Sequence, residues 1–475
     1  MRIRLPIAAA TVLAAITCSG RGAAQAAAES APAAPARAVE RRPDADQTTV
    51  RVDSATYVRY FQRALLPGPG GALVESTSTA PLYEYAAVRI DGIDTPWKKD
   101  SVDVELAGWA NVNLGDAEGG LRADGDVTVA SVRHRLGPAY VTVGRQLRVG
   151  GAARFSRFDG ASAGVRAPFG VGADAYGGWS VLPRWSQQPG YHLLGSASDT
   201  LLRNPEALPP TSRNGYWLAG GRAYYAYRTK AELGVSFHEQ REAGNLGRRD
   251  VAADLRIAPW EVVSLSGQAM MDADSWSLAD ARGVLEVAPL RCISITGEYL
   301  HTDPSLFLSR QSLFSVFATN AFDEAGGTVT WRPVLAPQLQ LAGGGFVEMF
   351  RDGEAGYRAN GRLRYSMRRD RVVGQVAYTR VHEMQNGYHG GRISLGVRPI
   401  EQAALNFEGY LYLYDETIRG ASSSLVGAAN AEWSPSRLFS LLVGGSLART
   451  PYASLDAQGL VRAIVHFETR AGGAR

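Results

Sequence analysis

Cysteine is nearly absent from this chain, and so is any long apolar run. Of its two cysteines, Cys18 lies in the leader and only Cys292 remains beyond it, so no intrachain disulfide can form. Past the leader no stretch reaches the ~18 consecutive apolar residues of a membrane-crossing helix. Histidine is scarce as well, and His134, His192, His238, His301, His382, His389 and His466 show no H-x-x-x-H or His/Cys spacing. That pattern supports neither a metal site nor a cofactor. A strong charge of one sign is missing too. The formal net charge is +4, and Arg2, Arg4 and Arg21 of the leader account for most of it. Nucleic-acid binding therefore has no electrostatic basis.

What the chain does have is alternation. In Ala403–Asp415 (AALNFEGYLYLYD), Leu405, Phe407, Gly409, Leu411 and Leu413 fall on one side of an extended strand. Asn406, Glu408, Tyr410, Tyr412 and Tyr414 fall on the other. The period is 2. The same holds in 101–114, where Val102, Val104, Leu106, Ala110 and Val112 oppose Asp103, Glu105, Trp109, Asn111 and Asn113. It holds again in 356–367, where Tyr357, Leu363 and Tyr365 oppose Arg358, Arg362 and Arg364. Nearly four hundred residues repeat this pattern, with no helical segment to cover an oily sheet face. Such a sheet is satisfied by closing on itself in a lipid bilayer, oily side outward. The fold class expected is all-β: a transmembrane antiparallel up-and-down barrel of about 18–22 strands.

The N-terminus reads as a secretory signal peptide over 1–26, with a basic start, a short apolar core and the cleavage pattern Ala24-Gln25-Ala26. Residues 27–52, rich in Ala, Pro and Arg, read as a disordered periplasmic linker. The segment 53–81 is a short helix or a first strand, ended by Pro67-Gly68-Pro69-Gly70-Gly71. The barrel proper is expected over 82–469, with strands at 82–91, 101–114, 124–135, 139–148, 159–167, 170–181, 214–228, 230–241, 249–257, 261–272, 276–287, 290–301, 322–332, 337–350, 356–367, 371–382, 390–398, 402–414, 420–433, 437–449 and 455–469. Bacterial barrels have even strand numbers, so this odd set implies either that 53–66 is a strand, giving 22, or that 82–91 is not in the wall, giving 20. The segment ahead of residue 82 is too short for a plug domain.

Connections alternate in length. Short ones carry Pro or charge, as in Leu136-Gly137-Pro138, Ala258-Pro259-Trp260 and Ser434-Pro435-Ser436. Longer ones fall between them at 115–123, 149–158, 182–213, 242–248, 302–321, 383–389 and 415–419. Short periplasmic turns and long external loops predict this, and a soluble sandwich does not. The final strand presents Gly459, Val461, Ala463, Val465 and Phe467 outward. Its near-terminal aromatic resembles the C-terminal signal of outer-membrane barrels, which implies barrel-assembly machinery as a partner, although Glu468 to Arg475 trail it.

A family resemblance follows from Val141-Thr142-Val143-Gly144-Arg145-Gln146, then Gly150-Gly151, Arg157-Phe158-Asp159-Gly160 and Ala175-Tyr176-Gly177-Gly178. This wording resembles the strand–loop–strand hairpins of Gram-negative porin-like channels. It spans about forty residues, while the architecture spans the chain. The resemblance implies a pore in the cell outer membrane, with lipid outside and a small hydrophilic solute inside, and it names no solute. A homo-oligomer is compatible with it.

Candidate pore-lining residues are the inward Arg145, Arg157, Arg358, Arg362, Arg364 and Arg392, with Glu298, Glu324, Glu348 and Glu408. They either select solutes or form cross-strand ion pairs that satisfy a polar lumen. Arg145, Arg154 and Arg157 cluster near the mouth. Loop 182–213, with Arg184, Trp185, Tyr191 and Arg203, either narrows the lumen or packs over it. Loop 302–321 is too oily to stand in water and folds inward or onto a neighbour.

The match Gly160-Ala161-Ser162-Ala163-Gly164 to G-x-S-x-G opens a strand after a loop, not the strand–turn–helix that a nucleophile elbow needs. No catalytic residue is therefore assigned. The reading is a non-enzymatic channel for passive diffusion. The alternatives are a non-conducting structural or partner-binding barrel and, less favoured, an outer-membrane hydrolase using rim residues such as His238, His301 or His382.

Overall fold

A computed structural model of the chain describes residues 48–63, 77–95, 100–114, 123–181, 216–242, 244–307, 321–351, 353–367, 370–383, 386–451 and 453–471. The expectations for the signal peptide and for linker residues 27–47 lie outside them. So do those for Arg184, Trp185, Tyr191 and Arg203, and for all of the oily loop beyond residue 307.

The described residues form one antiparallel sheet closed on itself. Its strands are β1 (Thr48–Arg63), β2 (Thr77–Thr79), β3 (Pro81–Asp94), β4 (Asp100–Asn113), β5 (Ala123–Leu136), β6 (Ala139–Val149), β7 (Phe155–Arg166), β8 (Val171–Ser180), β9 (Trp217–Tyr227), β10 (Ala231–Glu242), β11 (Asn245–Trp260) and β12 (Val263–Asp272). They continue as β13 (Ser277–Leu290), β14 (Ile293–Thr302), β15 (Phe322–Trp331), β16 (Leu339–Phe350), β17 (Ala355–Met367), β18 (Val372–His382), β19 (Tyr388–Ile400), β20 (Ala403–Ile418), β21 (Ala421–Ser436), β22 (Phe439–Thr450) and β23 (Ala453–Ala471). Each pairs with its sequence neighbour, and β1 closes the ring by pairing with β23 from Thr48↔Ala471 to Phe61↔Gln458. β2 and β3 lie against successive parts of β1 and are one stave interrupted at Ala80, so the barrel has 22 staves.

The ambiguity over 53–66 is resolved in favour of a strand, because β1 supplies the rung between β3 and β23. It begins at Thr48, so residues 48–52, assigned to the linker by composition, already belong to the wall. The reason is in the register: Val50 and Val52 face outward beside Ile90, Val88 and Phe467, while Arg51 faces inward and pairs with Glu468 at 3.1 Å. Composition alone hid this two-residue rhythm.

All the strands expected from the alternation are present, some longer than expected, as in Asn245–Trp260 and Ala453–Ala471, and some shorter, as in Trp217–Tyr227. Two of the long external loops are not. β10 and β11 extend almost to each other, with a register shift at Gln240/Arg241, and β20 runs through 415–418 to a tight turn at Arg419-Gly420. Polar residues in these stretches continue the ladder above the apolar band, where the alternation of oil and charge no longer marks a strand.

Candidate functional site

The wall has two chemically distinct faces. Outward positions are apolar and exposed, as with Leu405, Phe407, Leu411 and Leu413 on β20, Val443 and Leu447 on β22, and Val461, Val465 and Phe467 on β23. Aromatics frame this band at both ends. Phe169, Tyr227, Trp260, Trp331 and Trp433 lie by the short turns, and Trp179, Trp217, Tyr299, Tyr357 and Tyr378 lie toward the opposite rim. An apolar outer face, aromatic girdles and a ladder without a free edge define a transmembrane β-barrel of the outer-membrane type.

The inner face is polar, and most of its charges are paired. Arg358 Nη2 donates to both Glu324 oxygens at 2.8 and 2.9 Å. Arg392 donates to Glu408 at 3.1 Å, and Arg282 stands 3.8 Å from Glu298. Glu348 lies directly across from Glu324. Arg362 and Arg364 follow Arg358 on the inner phase of β17, Arg364 opposite Gln340 and Gln375. Among the described residues Arg364 makes no ion pair.

A recurrent joint holds several of these arginines flat against the wall. Phe346 lies over Gly326 on the adjacent strand, with the Arg358 guanidinium 4.4 Å above its ring. Tyr224 lies over Gly172 with Arg222 at 4.9 Å, Tyr176 over Gly220 with Arg148 at 5.0 Å, and Tyr140 over Gly164 with Arg133 at 5.3 Å. In each pair the glycine leaves the space that the ring fills; a Cβ there would collide with it. For Arg358, Arg222 and Arg148 stacking and ion pairing together fix the guanidinium plane, whereas Arg133 donates to the Thr142 hydroxyl at 3.2 Å. The alternation shows each Arg, ring and Gly to be inward, but only the register shows which of them meet.

Arg145 and Arg157 depart from the sequence expectation. By register they are in phase with Val141, Val143, Ala161 and Ala163, the outward residues of β6 and β7, and Asp159 shares that phase. Charges there are tolerable because this part of the hairpin leaves the wall. The β5–β6 ladder stops at Ala130↔Arg145, although both strands continue, while β6–β7 pairing runs on to Val149↔Phe155. The bend falls at Gly144, with φ 116°, where a Cβ would run into the Ala130 carbonyl. Arg145 fills the seam: it donates to Asp159 at 2.7 and 2.9 Å and to the Val127 carbonyl at 2.9 Å, and it reaches Asp126 at 3.3 Å. Arg157 meets the other oxygen of Asp126 at 2.7 Å. A side chain thus satisfies a carbonyl that has lost its ladder partner.

Beyond the bend the hairpin tip turns into the barrel. The 3-10 turn Gly151–Ala153 docks on the inner wall of β10, β11 and β12, and Ala152 is fully buried. The Ala152 N–H donates to Ser236 Oγ at 2.9 Å, and Arg248 donates to the Ala153 carbonyl at 3.0 Å. Arg154, placed at the mouth by its sequence, points its Nε at Met270 sulfur, 3.1 Å away. Phe158, Tyr176 and Leu218 pack beneath Ala153. Tyr176 and His238 share a 3.0 Å hydrogen bond, and Arg248 pairs with Asp250 at 2.9 Å. His238, expected at the rim, is fully enclosed here.

The element that docks on the inner wall within the described residues is therefore a short hairpin tip. The signal that points to it is the run of charges at 145, 157 and 159 on a phase that should face lipid.

The described start of loop 302–321, Asp303 and the turn Pro304–Phe307, packs against β13, with the Asp303 N–H donating to the Ala279 carbonyl at 2.9 Å. Ser162 of the G-x-S-x-G match is buried within β7 and donates to Gln146 at 2.6 Å, so it forms no elbow. His301 pairs with Asp323 at 2.9 Å on the outward phase of the rim. Among the described residues no group of three or more His, Cys, Asp or Glu side chains is arranged to hold a metal ion.

No protein-family model matches the sequence, and no curated protein matches it either. Solved structures with similar coordinates include the translocation pore of the P pilus usher PapC (TM-score 0.44, 8% identity, covering 89% of this chain and all of that one). OccAB4 of Acinetobacter baumannii gives a TM-score of 0.40 at 8% identity, covering 90% of this chain and all of that one. The outer membrane protein OpdK of Pseudomonas aeruginosa gives 0.38 at 10% identity, covering 88% and 99%.

Proposed function

We propose that the chain is an outer-membrane channel that passes small hydrophilic solutes by diffusion, without covalent chemistry. The observation that carries this reading is the combination of a closed ladder, an apolar outer face and a charged inner face. A polar surface enclosed by a membrane-spanning wall is stable only when it is wet or packed with protein, and water in it gives solutes a path. In this reading the docked tip 150–154 sets the width. The stacked, ion-paired arginines make the wall polar without a strong preference for either ion sign. The outward Phe467 near the end of β23 suits recognition by barrel-assembly machinery.

Planar-bilayer conductance of the refolded mature protein tests the proposal. Stable steps are expected, with a reversal potential near zero in a salt gradient. Shortening 150–154 to a two-residue turn should enlarge them, roughly twofold if the tip is the narrowest point. A folded barrel that stays silent in both forms would overturn the channel reading in favour of a structural or partner-binding barrel.

A further inference from the structure

The inner wall is not uniform in how its polar groups are used. On β5 to β11 many are tied to one another: Arg133 to Thr142, Arg148 to Asp174, Arg222 to Asp254, Arg248 to Asp250, and Ser162 to Gln146. On β16 to β19 a run of them is not. Gln340, Arg364, Gln375 and Ser394 stand side by side in one register row across β16, β17, β18 and β19, on the inward phase. Among the described residues their side chains make no hydrogen bond or ion pair. Two steps nearer the external side, Asn360 and Thr379 face each other across β17 and β18 in the same condition.

Beside Thr379 this second row continues to Gly390 of β19 and Tyr412 of β20. Tyr388 and Tyr412 meet edge to face by this glycine, with centroids 5.5 Å apart and planes at 72°. A Cβ on Gly390 would touch both rings, at 3.4 and 3.5 Å. The hydroxyls of both tyrosines make no hydrogen bond among the described residues. Two perpendicular rings around a bare backbone form an aromatic corner. Ala377, inward on β18 between the two rows, keeps the wall low between corner and row. With strands about 4.8 Å apart and about 3.4 Å per residue, the field from β16 to β20 measures about 14 Å along the strands and about 19 Å across them.

The chemistry of this field is mixed. A carboxamide or a hydroxyl both donates and accepts, a guanidinium donates, and an aromatic ring receives an apolar C–H face. Local charge is held down, because Arg358 and Arg392 are paired with Glu324 and Glu408. An anion would use the donors alone, a cation the acceptors alone, and an apolar solute only the rings. A neutral sugar uses all three, since its hydroxyls donate and accept while its ring carbons present a C–H face. We propose that the field binds neutral oligosaccharides in the lumen, with one sugar ring in the Tyr388–Tyr412 corner and the hydroxyls of another on Gln340, Arg364, Gln375 and Ser394. The corner and the row are too far apart for one sugar ring to reach both, so the ligand is a chain of sugars. This inference rests on the channel reading and gives it a substrate class.

The test uses the refolded mature protein, with maltohexaose and xylohexaose as probes and benzoate as an anionic comparator. Calorimetry in detergent should show saturable binding of at least one hexasaccharide, tighter than that of benzoate, and the same sugar should interrupt the bilayer current reversibly. Tyr412→Ala should weaken sugar binding by about tenfold. The pair Gln375→Ala and Arg364→Ala should weaken it by a similar factor, about tenfold. Heat-modifiable gel mobility shows that each variant folds. Ser446→Ala, inward on β22 and outside the field, should bind as the wild type does. Sugar binding indifferent to both sets of changes, benzoate bound more tightly than either sugar, or no saturable sugar binding by the folded barrel would each overturn the site. A silent barrel that still binds a hexasaccharide would overturn the channel reading and leave the site standing.

Discussion

Two residues show how local chemistry sets the wall. Glu324 holds Arg358 by two hydrogen bonds while Phe346 supports the guanidinium from below. Removing the acid's charge frees a cation in the lumen without disturbing the ring. Glu324→Gln should therefore shift the reversal potential toward anions, changing the permeability ratio by roughly twofold, with folding intact. An unchanged potential would mean that permeating ions do not sense Arg358. Gly144 is the second case, with a left-handed backbone and no space for a side chain. Gly144→Val should destabilise the barrel by about 2 kcal/mol or more, read as an earlier loss of the folded form in heat-modifiable gel mobility. A wild-type profile would show that the bend at the seam tolerates a different backbone.

At the scale of the element, the β6–β7 hairpin is held at two ends. Its base is fixed by Asp126 with Arg145 and Arg157, and its tip by Ser236 and Arg248. The ideal Cβ of residue 151 would lie 3.4 Å from Ser236 Cβ, close to disulfide reach. The pair Gly151→Cys and Ser236→Cys should oxidise during refolding, in a Cys292→Ser background. If the docked tip is the working state, single-channel steps should be equal before and after reduction. Larger steps on reduction would show that the tip leaves its dock. Part of this element is readable from sequence, because charges at 145, 157 and 159 break the outward phase. Where the tip lands is not readable, since β10 to β12 are remote in the chain and nothing near residue 151 specifies Ser236.

The whole molecule is a ring of ladders with no edge, and its stability follows from satisfied backbone in lipid. The faces should respond oppositely to charge. Val443→Arg places a cation in the apolar band and should cost about 2–4 kcal/mol, whereas Ser446→Arg on the same strand, facing inward, should cost little. Unfolding in denaturant with lipid or detergent present would measure both. Equal costs would contradict the assignment of faces. With Cys292 as the free thiol of the described chain, stability should not respond to reductant.

The sequence by itself determined the strands and their faces, because a period of two is a property of neighbouring residues. It reached the all-β barrel, and it put Arg358, Arg362, Arg364 and Arg392 and Glu298, Glu324, Glu348 and Glu408 on the polar phase of their strands. It underestimated β1 at residues 48–52, where composition outweighed phase, and it placed Arg145 and Arg157 on the lumen wall. Only the tertiary structure decided the closure of β1 on β23, the pairing of each arginine with its acid and its ring, and the inward turn at Gly144. These depend on register and on contacts between distant strands, which a local pattern cannot specify.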